Sequence, residues 1–211
     1  MDKKKLVAGI EEMLKEKGSR KFTQSVEIIV NFRGINFSKP ENRLNLDVVL
    51  PHGKGGKEPK VVVVADADTA NNAKKAGADL ILLPDEMASY RSDEAKLKQI
   101  TKESVFLVQP SLMGQVAKNF GQYLAVRGKT PKPLIGNPEN AVNMAKRSVR
   151  IVSKGKYMPV AQALVGSEKM EPSQIADNAE AVFEAIKNKA TLPSVKSVYI
   201  KLTMGKAIKV M

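Results

Sequence analysis

The chain has 211 residues, 43% apolar and 27% charged, which is enough for one large or two small packed domains and argues against a mainly disordered chain. Its 35 basic and 22 acidic residues leave a net charge of +13, which implies a polyanionic partner, nucleic acid before an anionic membrane surface. There is no cysteine, so disulfides, thiolate chemistry and cysteine-based zinc sites are excluded, and no apolar run approaches the ~20 residues of a membrane span.

Residues 1–60 carry +5, 61–155 carry +5 and 156–211 carry +3, so the basic excess belongs to folded surface and not to a tail. The opening Met1-Asp2-Lys3-Lys4-Lys5 lacks the apolar core of a signal peptide, and a cytosolic protein is expected. Lys3 to Lys17 reads as an amphipathic helix, with Leu6, Ile10, Met13 and Leu14 at helical spacing and Gly18 at the cap. Val26 to Val30 is a strand. Leu44 to Leu50 is a second, alternating strand, and Pro51 to Lys57 is a glycine-rich loop.

The texture then changes. Val61 to Ala65 is apolar without alternation, as in a strand buried on both faces. Thr69 to Ala76 is a helix, Leu80 to Leu83 a buried strand, and Ser92 opens a helix through Lys102. Val105 to Val108 is a third buried strand and Ser111 to Leu124 a helix. A basic Gly/Pro loop from Arg127 to Pro138 leads to a helix ending at Arg147. Strands alternating with helices predict a doubly wound parallel sheet. Pro159 to Val165 then reads as a strand, Pro172 to Lys189 as a long helix, Val195 to Thr203 as an alternating strand, and Ala207 to Val210 as one more.

Neither flank is rich enough to fold alone. The expected fold is therefore α/β overall: a discontinuous two-layer α+β domain, residues 1–60 plus 156–211, with a doubly wound α/β domain, 61–155, inserted into it. Two chain crossings would join them and could act as a hinge.

Catalytic motifs are thin. Asp66 and Asp68 after a buried strand suggest a magnesium-dependent aspartyl-phosphate phosphatase, but the hydroxyl residue is one position early and no second carboxylate pair completes a metal site. Helix capping by Asp66 or Asp68 is the plainer reading. His52-Gly53-Lys54-Gly55-Gly56-Lys57 lacks phosphate-loop spacing and reads as a flexible turn, with contact to an RNA backbone as the second reading. His52 is the only histidine and is expected in that turn. No Gly-x-Gly-x-x-Gly follows a buried strand. No metal or cofactor is expected.

Ten aromatic residues without clustering argue for a structured RNA or DNA partner over a stacked single strand. Two places combine basic, hydroxyl and apolar residues: Ser19 to Glu27 and Tyr199 to Lys206. The residue chemistry alone leaves core packing of Phe22 and Met204 equally open.

Both places resemble the ribosomal protein L-one family. Lys21-Phe22-Thr23-Gln24-Ser25-Val26-Glu27 is similar to its N-terminal RNA-contact segment, and Ser197 to Gly205, with Thr203-Met204-Gly205 at its core, to its C-terminal signature. Leu50-Pro51-His52-Gly53, Ala76-Gly77-Ala78-Asp79 and Pro110-Ser111-Leu112-Met113-Gly114, running on to Arg127-Gly128, match further family segments in order. Ser25 stands where bacterial members carry Thr, and Lys206 where they carry Pro. The spelling of residues 127–133 and the short start also resemble the archaeal form.

The resemblance implies a discontinuous RNA-binding domain hinged to a Rossmann-like insert. It implies binding to the stalk region of large-subunit ribosomal RNA, help in releasing deacylated tRNA from the exit site, and repression of translation of the protein's own messenger RNA. It further implies a cytoplasmic protein on the ribosome that is monomeric when free, and no enzyme. Carried over residue by residue, the RNA contacts are Lys21, Phe22, Ser25, Glu27, Ser197, Thr203, Met204 and Gly205. On this reading Lys21 meets phosphate and the hydroxyls of Ser25 and Thr203 meet sugar or phosphate. Gly205 admits close backbone approach, and Met204 covers the contact. A messenger-RNA regulator that never joins ribosomes is a third reading beside the phosphatase.

Overall fold

The computed structural model describes residues 2–56, 58–153, 158–189 and 194–211. The chain divides into two compact units: Met1–Lys57 with Arg147–Met211, and Glu58–Lys146.

The first unit is a sheet with helices on one face. α1 (Lys3–Leu14) starts at Asp2, whose carboxylate accepts the Lys4 N–H at 3.0 Å, and buries Leu6, Ile10 and Met13. It stops at Leu14, short of the expected Lys17. β1 (Ser25–Phe32) alternates strictly, with Val26, Ile28, Val30 and Phe32 buried. β2 (Asn45–Val49) pairs antiparallel with β7 (Ser148–Val152). β8 (Val160–Ser167) is followed by α7 (Pro172–Lys189), β9 (Val195–Leu202) and β10 (Ile208–Lys209). The main sheet runs β10-β9-β1-β8, antiparallel throughout. Ile175, Ala179, Val182, Phe183 and Ile186 of α7 are all buried, as their spacing predicts, and share one core with Ile10, Ile28 and Ile200.

Sequence reading gave residues 147–153 to the insert, yet they group with the first unit. The reason is Ser148-Val149-Arg150-Ile151-Val152, a short alternating strand hidden directly behind a helix, whose Val149 and Ile151 bury against the same core. The expected boundary between residues 155 and 156 lies outside the described residues, as does Lys57 at the end of the glycine-rich loop.

The second unit is a parallel sheet covered on both faces. β3 (Lys60–Val64), β4 (Leu80–Leu82), β5 (Ser104–Val108) and β6 (Lys132–Pro133) lie in the order β4-β3-β5-β6. Val62 and Val64 face a core with α3 (Glu86–Ser92), α4 (Glu94–Glu103) and α5 (Met113–Val126), through Met87, Leu97 and Phe120. Val61 and Val63 face another, with Ala73 of α2 (Ala67–Lys75) and Val142 and Ala145 of α6 (Pro138–Arg147). Burial on both sides is what removed the alternation from this strand.

Two details depart from expectation. Ser92 does not open a helix. It ends α3, and Asp93 caps α4 by accepting the Lys96 N–H at 3.1 Å. The loop after Arg127 contains a fourth strand, masked in the sequence by Pro133, which an edge strand tolerates.

Candidate nucleic-acid interface

The two segments singled out in the sequence meet at one end of the main sheet. Ser25 N–H donates to the Thr203 hydroxyl at 3.1 Å, the Thr203 hydroxyl donates to Ser25 O at 3.2 Å, and Thr203 N–H donates to Ser25 O at 3.0 Å. One residue further out, Met204 N–H donates to the Gln24 side-chain oxygen at 3.1 Å. Gln24 is 1% exposed, and its own carbonyl accepts the Glu168 N–H at 3.0 Å. Gln24 lies inside the Lys21–Glu27 motif but is not singled out there, because a buried amide has no periodic or compositional signature.

The turn after β9 closes with Gly205 N–H donating to Leu202 O at 3.0 Å. A side chain at Gly205 would lie 3.0 Å from the Leu202 Cβ and 3.2 Å from the Glu16 carboxylate, so glycine lets the turn sit against the segment after α1. Met204 and Phe22, on the two joined segments, are 60% and 52% exposed. Neither is a core residue, so the core-packing alternative fails for both. Lys21 is exposed beside Phe22.

Glu27 and Lys201 face each other across β1 and β9. Both are half-buried, and neither forms an ion pair among the described residues. Ser197 stands apart. It lies on β9 six residues from Thr203, ~20 Å along the strand, is 6% exposed, and its hydroxyl accepts Asn31 Nδ2–H at 3.1 Å. Ser25, Glu27, Thr203, Met204 and Gly205 thus fall at or beside the Ser25–Thr203 junction, Lys21 and Phe22 lie on the segment that leads into it, and Ser197 stands apart.

Charge follows the same division. The first unit holds 23 basic and 12 acidic residues, net +11, and the second 12 and 10, net +2. The even spread found by thirds came from counting Arg147, Arg150 and Lys154 with the insert. In the basic loop, Lys129 is turned inward: its ammonium donates to Lys102 O at 2.8 Å and Ser104 O at 2.9 Å, and burial lowers its pKa.

In the glycine-rich loop, His52, Gly53 and Gly55 are held by hydrogen bonds. Gly55 O accepts the Ser167 hydroxyl at 2.5 Å. Fully buried Asn178 donates to Gly53 O at 2.9 Å and Val165 O at 2.8 Å, and accepts the His52 N–H at 3.0 Å. His52 is a turn residue as expected, but its ring also meets Asp177 at 3.1 Å, and Lys3 meets the other carboxylate oxygen at 2.8 Å. Hydrogen bonds from Lys3, then from His52, hold the Asp177 carboxyl below its ordinary pKa.

The phosphatase geometry is missing. Asp66 sits at the N-cap position of α2 but makes no capping bond. Instead its carboxylate accepts Gln109 Nε2–H at 2.8 Å, while its N–H donates to Gln109 Oε1 at 3.0 Å. That reciprocal pair engages the Asp66 carboxylate at the strand ends, where such a sheet would bind a substrate. Asp68 lies in the first turn of α2, and no group of three His, Cys, Asp or Glu side chains among the described residues could hold a metal.

Residues 14–206 match the model of the ribosomal protein L1p/L10e family. The chain belongs to that family. It is similar to proteins named large ribosomal subunit protein uL1: 42% identical over 214 residues to that of Thermococcus kodakarensis, covering 99% of this chain and 98% of the relative. The match to Archaeoglobus fulgidus is 38% over 215 residues, 100% and 99% covered. That to Thermofilum pendens is 41% over 220 residues, 100% and 97% covered. These relatives are archaeal, as the spelling of the motifs suggested, and the family is one of ribosomal proteins and not of enzymes. The phosphatase reading is set aside.

Proposed function

We propose that the protein is a constituent of the large ribosomal subunit, in the cytoplasm, anchored by its discontinuous unit to the stalk region of the large-subunit ribosomal RNA. The observation that carries this reading is the pair of exposed side chains, Phe22 and Met204, on two segments that share three hydrogen bonds in the unit holding the basic excess. Exposed apolar side chains beside cations suit a partner with both sugar edges and phosphates. On this reading Lys21 meets phosphate and Glu27 accepts from ribose or base. Ser25 and Thr203 hold the junction in register, and Met204 excludes water from the contact, which strengthens the hydrogen bonds around it.

The same surface serves one further role in this proposal, and the insert another. It represses translation by binding a similar structure in the protein's own messenger RNA, while the insert, moving about the two chain crossings, assists departure of deacylated tRNA from the exit site. Footprinting on total large-subunit RNA tests the anchor: protection confined to the stalk supports it, and uniform weak protection contradicts it. Sucrose-gradient sedimentation tests assembly, since absence from the large-subunit fraction leaves only the messenger-RNA role. Competition between stalk and messenger RNA tests the shared surface. Release of labelled tRNA from ribosomes with and without the protein tests the last role.

A further inference from the structure

Specific nucleic-acid-binding modules bury at least ~600–1,000 Å² of protein surface, a patch ~25–30 Å across. The junction of Phe22, Ser25, Thr203 and Met204 is far smaller than that, so a bound RNA must extend beyond it. The adjoining surface is the sheet face opposite the helices. On that face the register places Lys201, Glu27 and Leu164 in the first row beyond the junction, and Lys209, Tyr199, Ile29 and Gln162 in the next. Lys209 and Gln162 are exposed and Tyr199 and Ile29 half-buried, so the row is open to a ligand.

We propose that Tyr199 is a further RNA contact, donating its phenolic hydroxyl to a ribose 2′-hydroxyl, with Lys209 on a neighbouring phosphate. The proposal rests on the RNA-binding reading above. Tyr199 lies four residues from Thr203 on the same face of the same strand continuation, ~13 Å away, within the span a bound module needs. Side chains in strands stand roughly perpendicular to the sheet, so a half-buried tyrosine directs its polar tip outward. That hydroxyl makes no hydrogen bond among the described residues. Its row neighbours are isoleucine, lysine and glutamine, with no second aromatic, so the row is no base-stacking platform and the hydroxyl is its recognition group. The 2′-hydroxyl both donates and accepts, and it distinguishes RNA from DNA. This residue would therefore let the surface reject a DNA of the same shape.

The probe is a transcript of the stalk region of large-subunit ribosomal RNA, together with versions carrying single 2′-deoxy substitutions at protected nucleotides. Tyr199→Phe, which removes only the hydroxyl, is expected to weaken binding of the all-ribose RNA about three- to tenfold with an unchanged melting curve. On one of the deoxy-substituted RNAs, wild type and variant should bind equally. Lys209→Gln should reduce the slope of log K against log salt by about one unit. Tyr199→Phe binding like wild type, while Met204→Ala loses affinity, overturns this inference and leaves the RNA-binding reading standing. A loss that no single 2′-deoxy substitution cancels overturns the ribose assignment. Failure of the wild-type protein to bind the transcript specifically overturns the underlying reading, and this one with it.

Discussion

Ser25 and Thr203 lie 178 residues apart in sequence and exchange three hydrogen bonds, two through the Thr203 hydroxyl and one through its N–H. The hydroxyl is therefore spent on the protein, and its replacement acts on folding. Thr203→Val should lower stability by about 1–2 kcal/mol, because the Ser25 N–H loses its acceptor. A Thr203 hydroxyl turned to sugar or phosphate, as read from the sequence, would leave folding unchanged on removal. Denaturant melts check the difference, and an unchanged midpoint would contradict it.

Met204 and Phe22 separate binding from folding more cleanly. Both are more than half exposed, so truncation to alanine should change stability by no more than ~0.5 kcal/mol. Affinity for the stalk RNA should fall by roughly 1–3 kcal/mol for each, as when a buried contact loses a partner. Titration calorimetry beside thermal melts reads both quantities on the same samples.

Asn178→Ala should be among the most damaging single changes in the first unit. Its side chain serves three backbone groups, at His52, Gly53 and Val165, and the residue is fully buried. Leaving those groups unpaired costs about 2–4 kcal/mol. Chemical denaturation followed by circular dichroism gives the number.

Gly55 has φ +65°, and a methyl group there would overlap the Met170 thioether. Gly55→Ala should destabilise by about 1–3 kcal/mol through left-handed backbone and overlap together. Adding Met170→Ala removes the overlap but not the backbone strain, so the double variant should be less destabilised than the sum of the two single variants. Strict additivity in a double-mutant cycle would contradict the contact.

Asp177 supplies a pH dependence with a definite sign. Lys3 and His52 depress its pKa below the ordinary 3.8. The carboxylate thus contributes stability above pH ~4, and that contribution is lost as pH falls through the depressed value. Asp177→Asn should melt earlier than wild type at pH 6, and the two curves should converge toward pH 2. The gap is expected to be small, because the carboxylate is open to solvent. A gap that widens on acidification would contradict the assignment.

Much of the fold was readable because its signals are local. The spacing of Ile175, Ala179, Val182, Phe183 and Ile186 marked α7, and the unbroken Val61–Ala65 run marked a strand with two buried faces. What escaped was what depends on partners distant in sequence. β7 is five residues long and makes sense only against β2. Asp66 reads as a cap or a nucleophile until Gln109, 43 residues later, takes its carboxylate. The candidate interface was legible as two motifs, while the buried Gln24 that ties them and the burial of Ser197 were visible only once the strands were paired.

The most direct test places a photo-crosslinking residue at position 22 and, separately, at position 204, and maps the crosslinks on the stalk RNA by primer extension. Both positions should label the same few nucleotides of one irregular helix. Labelling of well-separated RNA sites by the two positions, or of none by either, would contradict a single surface built from both ends of the chain.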